Sequence, residues 1–193
     1  MSGLVTVADI SNYTGTLTAE QAEGLATAVE HVIVRISLES EELAAITRQQ
    51  LAVLRAAGVS VSGYLFPEYD ADPATFIVRA LGLAGPVRTL WIDVEPPGLP
   101  SAAVIQDWIR RAAAVSPVPV GIYTGAWVIW QLPGWEPMDL PLWSADYTNE
   151  PPASLAVSYG GWSQAAGIQY RADTVIAGVL CDLSVFDTAA LVV

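Results

Sequence analysis

Residues 90–98 read "LWIDVEPPG". Side chains of an extended strand point alternately to opposite faces. Leu90, Ile92 and Val94 therefore share one face, and Trp91, Asp93 and Glu95 share the other. Pro96 and Pro97 then stop the ladder. Aliphatics on one side, with an indole and two acids on the other, suit the wall of a closed parallel barrel. Its outer face meets helices, and the C-terminal ends of its strands form the rim where such barrels do chemistry.

The rest of the chain supports that setting. Strand-like runs at 4–9, 31–37, 59–66, 88–95 and 118–125 alternate with helix-like runs at 18–30, 40–58, 72–85, 101–115 and, briefly, 126–132. Thr18 with Gln21, Ser40, and Asp72 before Pro73 are helix-start signals. Three further strands are expected at 140–147, 166–172 and 177–186, with no real helix between them. Five strand–helix alternations imply parallel strands with right-handed crossovers. The expected fold is α/β: an irregular TIM-like barrel, five β/α units followed by three β-strands. A full eightfold barrel takes about 250 residues, so the absent helices account for a chain of 193. An open doubly wound sheet ranks lower, because no phosphate-binding glycine loop follows the first strand. No linker or repeat is visible, so one domain over 1–193 is expected.

Composition excludes several chemistries. Net charge is −12, which argues against nucleic acid as a partner. No apolar run reaches the roughly 18–20 residues of a membrane span. The opening Met1-Ser-Gly-Leu-Val has neither a basic nor a long apolar signal region, so no export signal is expected. All eight cationic residues are arginine, which excludes a lysine Schiff base. A single histidine, His31, and a single cysteine, Cys181, cannot form an internal disulfide or a usual zinc site. His31 opens a strand and is expected to be a half-exposed structural residue. Hard chemistry is left to carboxylates, hydroxyls and aromatics.

Acids recur at strand ends. Asp9 ends the first strand, Asp146 falls on the sixth and Asp182 on the last. In a closed barrel the first and last strands are neighbours, so Asp9, Asp93, Glu95 and Asp182 should converge. Crowded, desolvated acids have raised pKa values. One can then stay protonated and donate while its neighbour is ionised, the division of labour of glycoside hydrolysis. A magnesium site is the lesser alternative. Seven tryptophans are many for this length. Aromatic faces pack on sugar rings and phenols bond their substituents. Tyr64 and Tyr123 lie near strand ends on the inward face. Trp143, Tyr147 and Tyr170 complete the expected substrate-binding set.

The ordered segments "VADIS", "GYLF", "LWIDVEPP", "VGIYTG", "LWSADY", "IQY" and "CDLSVF" together resemble the family 25 glycoside hydrolases, from about Val5 to Phe186. These are lysozymes that cleave between N-acetylmuramic acid and N-acetylglucosamine in peptidoglycan. The resemblance implies the same barrel, with no metal or organic cofactor. Glu95 matches the proton donor. Asp93 matches the partner that helps the substrate's own N-acetyl group act as nucleophile. Asp9 and Asp182 match flanking acids, and Tyr64 and Tyr123 match groove tyrosines. The chain departs from the family at Thr14, where glutamine is usual, at "ISLES" (36–40), at Leu65, where histidine is common, and at Ile168, where tryptophan is frequent. These touch the groove wall and spare the four acids. The expected partner is therefore the peptidoglycan glycan strand, with no nucleic acid or membrane. The expected place of action is the bacterial wall, reached through a phage particle or a holin. The alternative is an inactive barrel serving a phage particle as a glycan-binding or structural part.

Overall fold

The computed structural model describes residues 3–191, so Met1, Ser2, Val192 and Val193 of the expected domain lie outside the described residues. Strands β1 (Leu4–Ile10), β2 (His31–Arg35), β3 (Ser60–Leu65), β4 (Leu90–Asp93), β5 (Val120–Gly125) and β6 (Leu142–Ala145) follow one another around a barrel. Helices α1 (Ala19–Ala28), α2 (Glu41–Ala56), α3 (Pro73–Ala84), α4 (Ala102–Val115) and the short α5 (Ala126–Ile129) separate them. A hairpin of β7 (Ala156–Tyr159) and β8 (Trp162–Gln164) stands apart. Then β9 (Gly167–Ile176) and β10 (Val179–Asp187) complete the ring in the order β1-β10-β9-β6-β5-β4-β3-β2. Strands β1–β6 and β9 pair in parallel, and β10 runs antiparallel to both β9 and β1. The irregular eight-stranded barrel expected from the sequence is the fold.

Local chemistry sets the helix starts. The Thr18 hydroxyl accepts from the Gln21 N–H while the Gln21 side chain accepts from the Thr18 N–H, a reciprocal cap. Ser40 caps α2 through the Leu43 N–H, and Asp72 caps α3 through the Thr75 N–H ahead of Pro73. Ser101 begins α4 without a side-chain cap bond.

Two apolar layers follow from strand alternation. Leu90, Ile92 and Val94 pack outward with Ile122, Ile105, Ile109 and Ile77 against the helices. Trp91, Trp143, Phe186, Tyr123, Val7 and Ile33 fill the barrel interior. The three largest of these pack against one another, Trp91 edge-on to Trp143 and to Phe186 and the latter two tilted, with ring centroids 5.5–5.9 Å apart. Room for it comes from missing side chains. A Cβ on Gly121 would sit 2.2 Å from the Trp91 ring, and one on Gly167 would sit 2.5 Å from the Phe186 ring.

The β7–β8 hairpin is not among the expected strands. Gly160 and Gly161, at φ 60° and 92°, make its tight turn. Trp162 stacks beside Trp135 and Tyr159, and its indole N–H donates to the Leu140 carbonyl at 2.9 Å. Much of the aromatic surplus of the C-terminal half is therefore structural.

Gly121→Ala is expected to destabilise the protein by about 1–3 kcal/mol, because the Trp91 ring is held by its neighbours and cannot yield. Urea unfolding followed by far-UV circular dichroism measures it. A midpoint unchanged from wild type would contradict the packing described here.

Candidate active site

The top layer of the barrel interior is polar where the layer below is aromatic. One residue pair further along each strand, Trp91 gives way to Asp93, Gly121 to Tyr123, Val7 to Asp9 and Gly167 to Gln169. Asp93 lies opposite Tyr123 across the β4–β5 pair, and Asp9 lies opposite Asp182 across β1–β10. Glu95 stands two residues past Asp93, just beyond the end of β4. The acid pair of β4, the end of β1 and the start of β10 thus meet at one rim, as expected. Beside Asp9 and Asp182 a cavity of about 260 Å³ opens, walled by Tyr64, Tyr13 and Leu180.

Burial dominates the electrostatics. Asp93 and Asp9 are 3% and 7% exposed. Desolvation first, then the Glu95 charge, holds Asp93 well above the usual carboxylate range, and Arg35 pulls the other way. Desolvation and the facing Asp182 raise Asp9 well above it too, opposed by the Gln169 amide. Asp182 is raised by burial against a 2.8 Å bond from the Asp173 N–H. Glu95, less deeply set, is pushed up to about 7 by burial and then by Asp182. Asp93 Oδ1 is buried and makes no hydrogen bond among the described residues.

A side-chain relay crosses the rim. Gln169 Nε2 donates to both Asp9 oxygens at 3.1 and 3.0 Å and reaches Asp182 Oδ2 at 3.4 Å. The Tyr123 hydroxyl donates to Gln169 Oε1 at 2.6 Å and lies 3.0 Å from the Tyr147 hydroxyl. Gln169 is not among the residues singled out from the sequence. Its signal was the alternation of β9, which points Gly167 and Gln169 inward together.

Tyr64 lines the cavity and Tyr147 stands at the rim, half exposed. Tyr123 faces inward as expected, though it is nearly buried beneath Tyr147. Two expected substrate-binding residues belong elsewhere. Trp143 is 1% exposed at the centre of the aromatic plug, with its indole N–H on Ser184 Oγ at 2.9 Å, so no sugar can reach it. Tyr170 points outward into the layer between barrel and helices, opposite in direction to Gln169. Asp146 is exposed just past β6 and outside the acid cluster. His31 is buried rather than half-exposed, and Ser62 Oγ lies 2.9 Å from its Nε2. Burial lowers its pKa to about 4, so it stays neutral. Thr14 departs from the family pattern and serves the loop after β1. It accepts from the Ser11 N–H and donates to the Leu180 carbonyl at 3.0 Å. Among the described residues, no group of three or more His, Cys, Asp or Glu side chains is arranged to hold a metal ion.

Residues 8–179 match the family model described as "Glycosyl hydrolases family 25". The chain belongs to this family. It is therefore a glycoside hydrolase. Among solved structures, the catalytic domain of an endolysin from a bacteriophage of Listeria monocytogenes is similar at a TM-score of 0.77 and 20% identity, over 98% of this chain and 96% of that one. A family 25 lysozyme from Aspergillus fumigatus is similar at 0.72 and 18% identity, over 96% and 94% of the two chains. A bacterial lysozyme from Streptomyces coelicolor gives 0.72 and 18%, over 97% and 95%. These likenesses bear on the fold. No curated protein matches this chain by sequence.

The raised Glu95 pKa has a consequence for stability. A folded-state pKa above the unfolded value favours the folded state while the group is protonated. That contribution is complete below about 4.5 and is lost as pH rises through about 7. Glu95→Gln removes the loss. The variant is expected to gain stability over wild type progressively from pH 4.5 to pH 7, levelling off above, by on the order of 1–2 kcal/mol after allowance for the group's partial solvent exposure. Urea midpoints at pH 4.5, 6 and 8 measure it. A difference independent of pH would show that Glu95 titrates normally.

Proposed function

We propose that this family 25 enzyme is an N-acetylmuramidase, hydrolysing the β-1,4 bond between N-acetylmuramic acid and N-acetylglucosamine in peptidoglycan. The observation that carries the reading is the graded acid cluster: Glu95 held near a pKa of about 7 at the accessible edge, with Asp93 buried behind it. A general acid works best when its pKa lies near the working pH.

Glu95 donates its proton to the glycosidic oxygen as the bond to the sugar carbon breaks. Asp93, at the end of β4, orients the acetamido group of the sugar on the other side of that bond. Its carbonyl oxygen attacks the anomeric carbon, in the substrate-assisted variant of the two-carboxylate scheme. Glu95, now ionised, then takes a proton from the water that opens the cyclic intermediate, returning to its starting state. Asp9 and Asp182 supply negative potential opposite the positive charge that develops on the sugar ring. Tyr64 and Tyr147 offer ring faces and hydroxyls to the glycan.

The substrate assignment draws on the family and on lysozymes and an endolysin that share the fold. The endolysin favours a finer reading, release of the enzyme during phage lysis or carriage in the particle. Wall hydrolysis is the common ground with the bacterial and fungal enzymes. A barrel kept only for binding is the weaker reading, because all four acids are retained and meet at one rim.

Glu95→Gln is expected to reduce release of reducing ends from purified peptidoglycan by about a hundred- to ten-thousand-fold, with the fold retained. In wild type, kcat/KM should fall as pH rises through about 7, since the acid must be protonated in the free enzyme. Activity retained in the variant would remove Glu95 from the proton-donor role. Mass analysis of fragments with muramic acid at the reducing end separates a muramidase from a glucosaminidase.

A further inference from the structure

The relay at the rim has a direction, and the direction follows from which atoms can donate. Asp9 turns both carboxyl oxygens toward one nitrogen of Gln169, at 3.1 and 3.0 Å. An amide turned end for end would set oxygen against oxygen there, for even a protonated Asp9 carries its hydrogen on only one of the two, so Nε2 faces Asp9 and Oε1 faces Tyr123. Oε1 can only accept. The single hydroxyl hydrogen of Tyr123 is therefore committed to Gln169, over 2.6 Å. The contact between the Tyr123 and Tyr147 hydroxyls, at 3.0 Å, must then be donated by Tyr147. Tyr123 is 5% exposed and Tyr147 is 46% exposed, so Tyr147 is the end that meets solvent and substrate.

Resting on the glycosidase reading above, we infer that Gln169 is a positioning residue that fixes the direction of every hydrogen bond from Asp9 to Tyr147, so that the Tyr147 oxygen meets the glycan only as an acceptor. The complementary group on the substrate is an N–H or O–H, such as the acetamido N–H of a 2-acetamido sugar. A ring oxygen, an ether oxygen or a carboxylate at that point would face a lone pair and be rejected. The same amide holds Asp9 against Asp182 and favours the ionised form of Asp9. One side chain thus tempers the charge at the floor of the rim and fixes the hydrogen-bonding sense at its edge.

The titratable groups that face position 169 are Asp9 from β1, Asp182 from β10, Tyr123 from β5 and Tyr147 beyond β6, with Glu95 acting on Asp9, Tyr123 and Tyr147 in turn. Two substitutions separate the relay from simple packing. Gln169→Leu keeps the volume and removes both polar ends. Gln169→Glu keeps the length. Its protonated acid can donate to Asp9 and accept from Tyr123, whereas its ionised form can only accept.

The experiment measures kcat and KM on purified peptidoglycan from pH 4 to 8 for wild type, Gln169→Leu, Gln169→Glu and Tyr147→Phe, with far-UV circular dichroism as the fold control. Gln169→Leu is expected to lose about ten-fold or more in kcat/KM. Gln169→Glu should approach wild type at the acid end and fall away at lower pH than wild type does. Tyr147→Phe should raise KM several-fold with kcat nearly kept, the mark of a lost binding contact. Wild-type activity and pH profile in either Gln169 variant would overturn the inference. If Gln169→Leu fails to fold, the pH profile of Gln169→Glu decides alone. Carboxyl-carbon NMR of Asp9 gives a reading independent of turnover. Its titration should move to higher pH in Gln169→Leu, and an unmoved titration would overturn the relay. Absence of turnover in wild type would instead remove the glycosidase reading, and the Asp9 titration would still decide the relay.

Discussion

Everything at the rim depends on carboxyl groups being held out of water by a floor of aromatic rings. Trp91, Trp143 and Phe186 fill the barrel so completely that glycine is required at 121 and 167. Solvent cannot enter the acid layer from below, and Asp9 and Asp93 are nearly sealed. Like charges would then be costly to hold together, so the four acids do not all ionise together. Glu95 retains one near neutrality because it alone of the β4 acids stands past the strand end, where a glycosidic oxygen could reach it. The chemistry is thus a by-product of packing: depth along the barrel axis decides which acid is structural ballast, which is polarised and which is free to transfer a proton.

That arrangement opposes stability. Acids with raised pKa values weaken the fold as pH rises. The outer layer compensates with aliphatic burial of β4 and β5 against α3 and α4, and with helix caps at Thr18, Ser40 and Asp72. An active site that strains its scaffold is an ordinary compromise between activity and stability.

Much of this was legible in the sequence, because strand alternation is a two-state code. Parity along "LWIDVE" assigned Trp91, Asp93 and Glu95 to the interior correctly, and the caps marked the helix starts to within a residue. Parity does not report depth. Trp143 is inward, as its strand implies, but it sits one layer below the rim and belongs to the plug. A one-residue change reverses the face, and this separates Tyr170 from Gln169. The tyrosine drew attention as an aromatic, while the neutral amide beside it, which binds Asp9, carried no charge to flag it. The β7–β8 hairpin was also readable, in the Gly160-Gly161 pair between Tyr159 and Trp162. Short strands outside the ring leave the barrel count unchanged, so nothing in the strand–helix rhythm called for them.

The antiparallel strand β10 joins the two ends of the described chain, pairing with β1 from Leu4↔Asp187 to Asp9↔Asp182. Contacts between segments so distant in sequence carry a loop-closure entropy that local pairings avoid. Asp182, and the Gln169 bond to Asp9, arrive only when that last strand docks. The acid constellation is therefore complete only in the closed barrel, and a chain interrupted before that strand would carry Glu95 and Asp93 without Asp182, whose charge helps to raise Glu95.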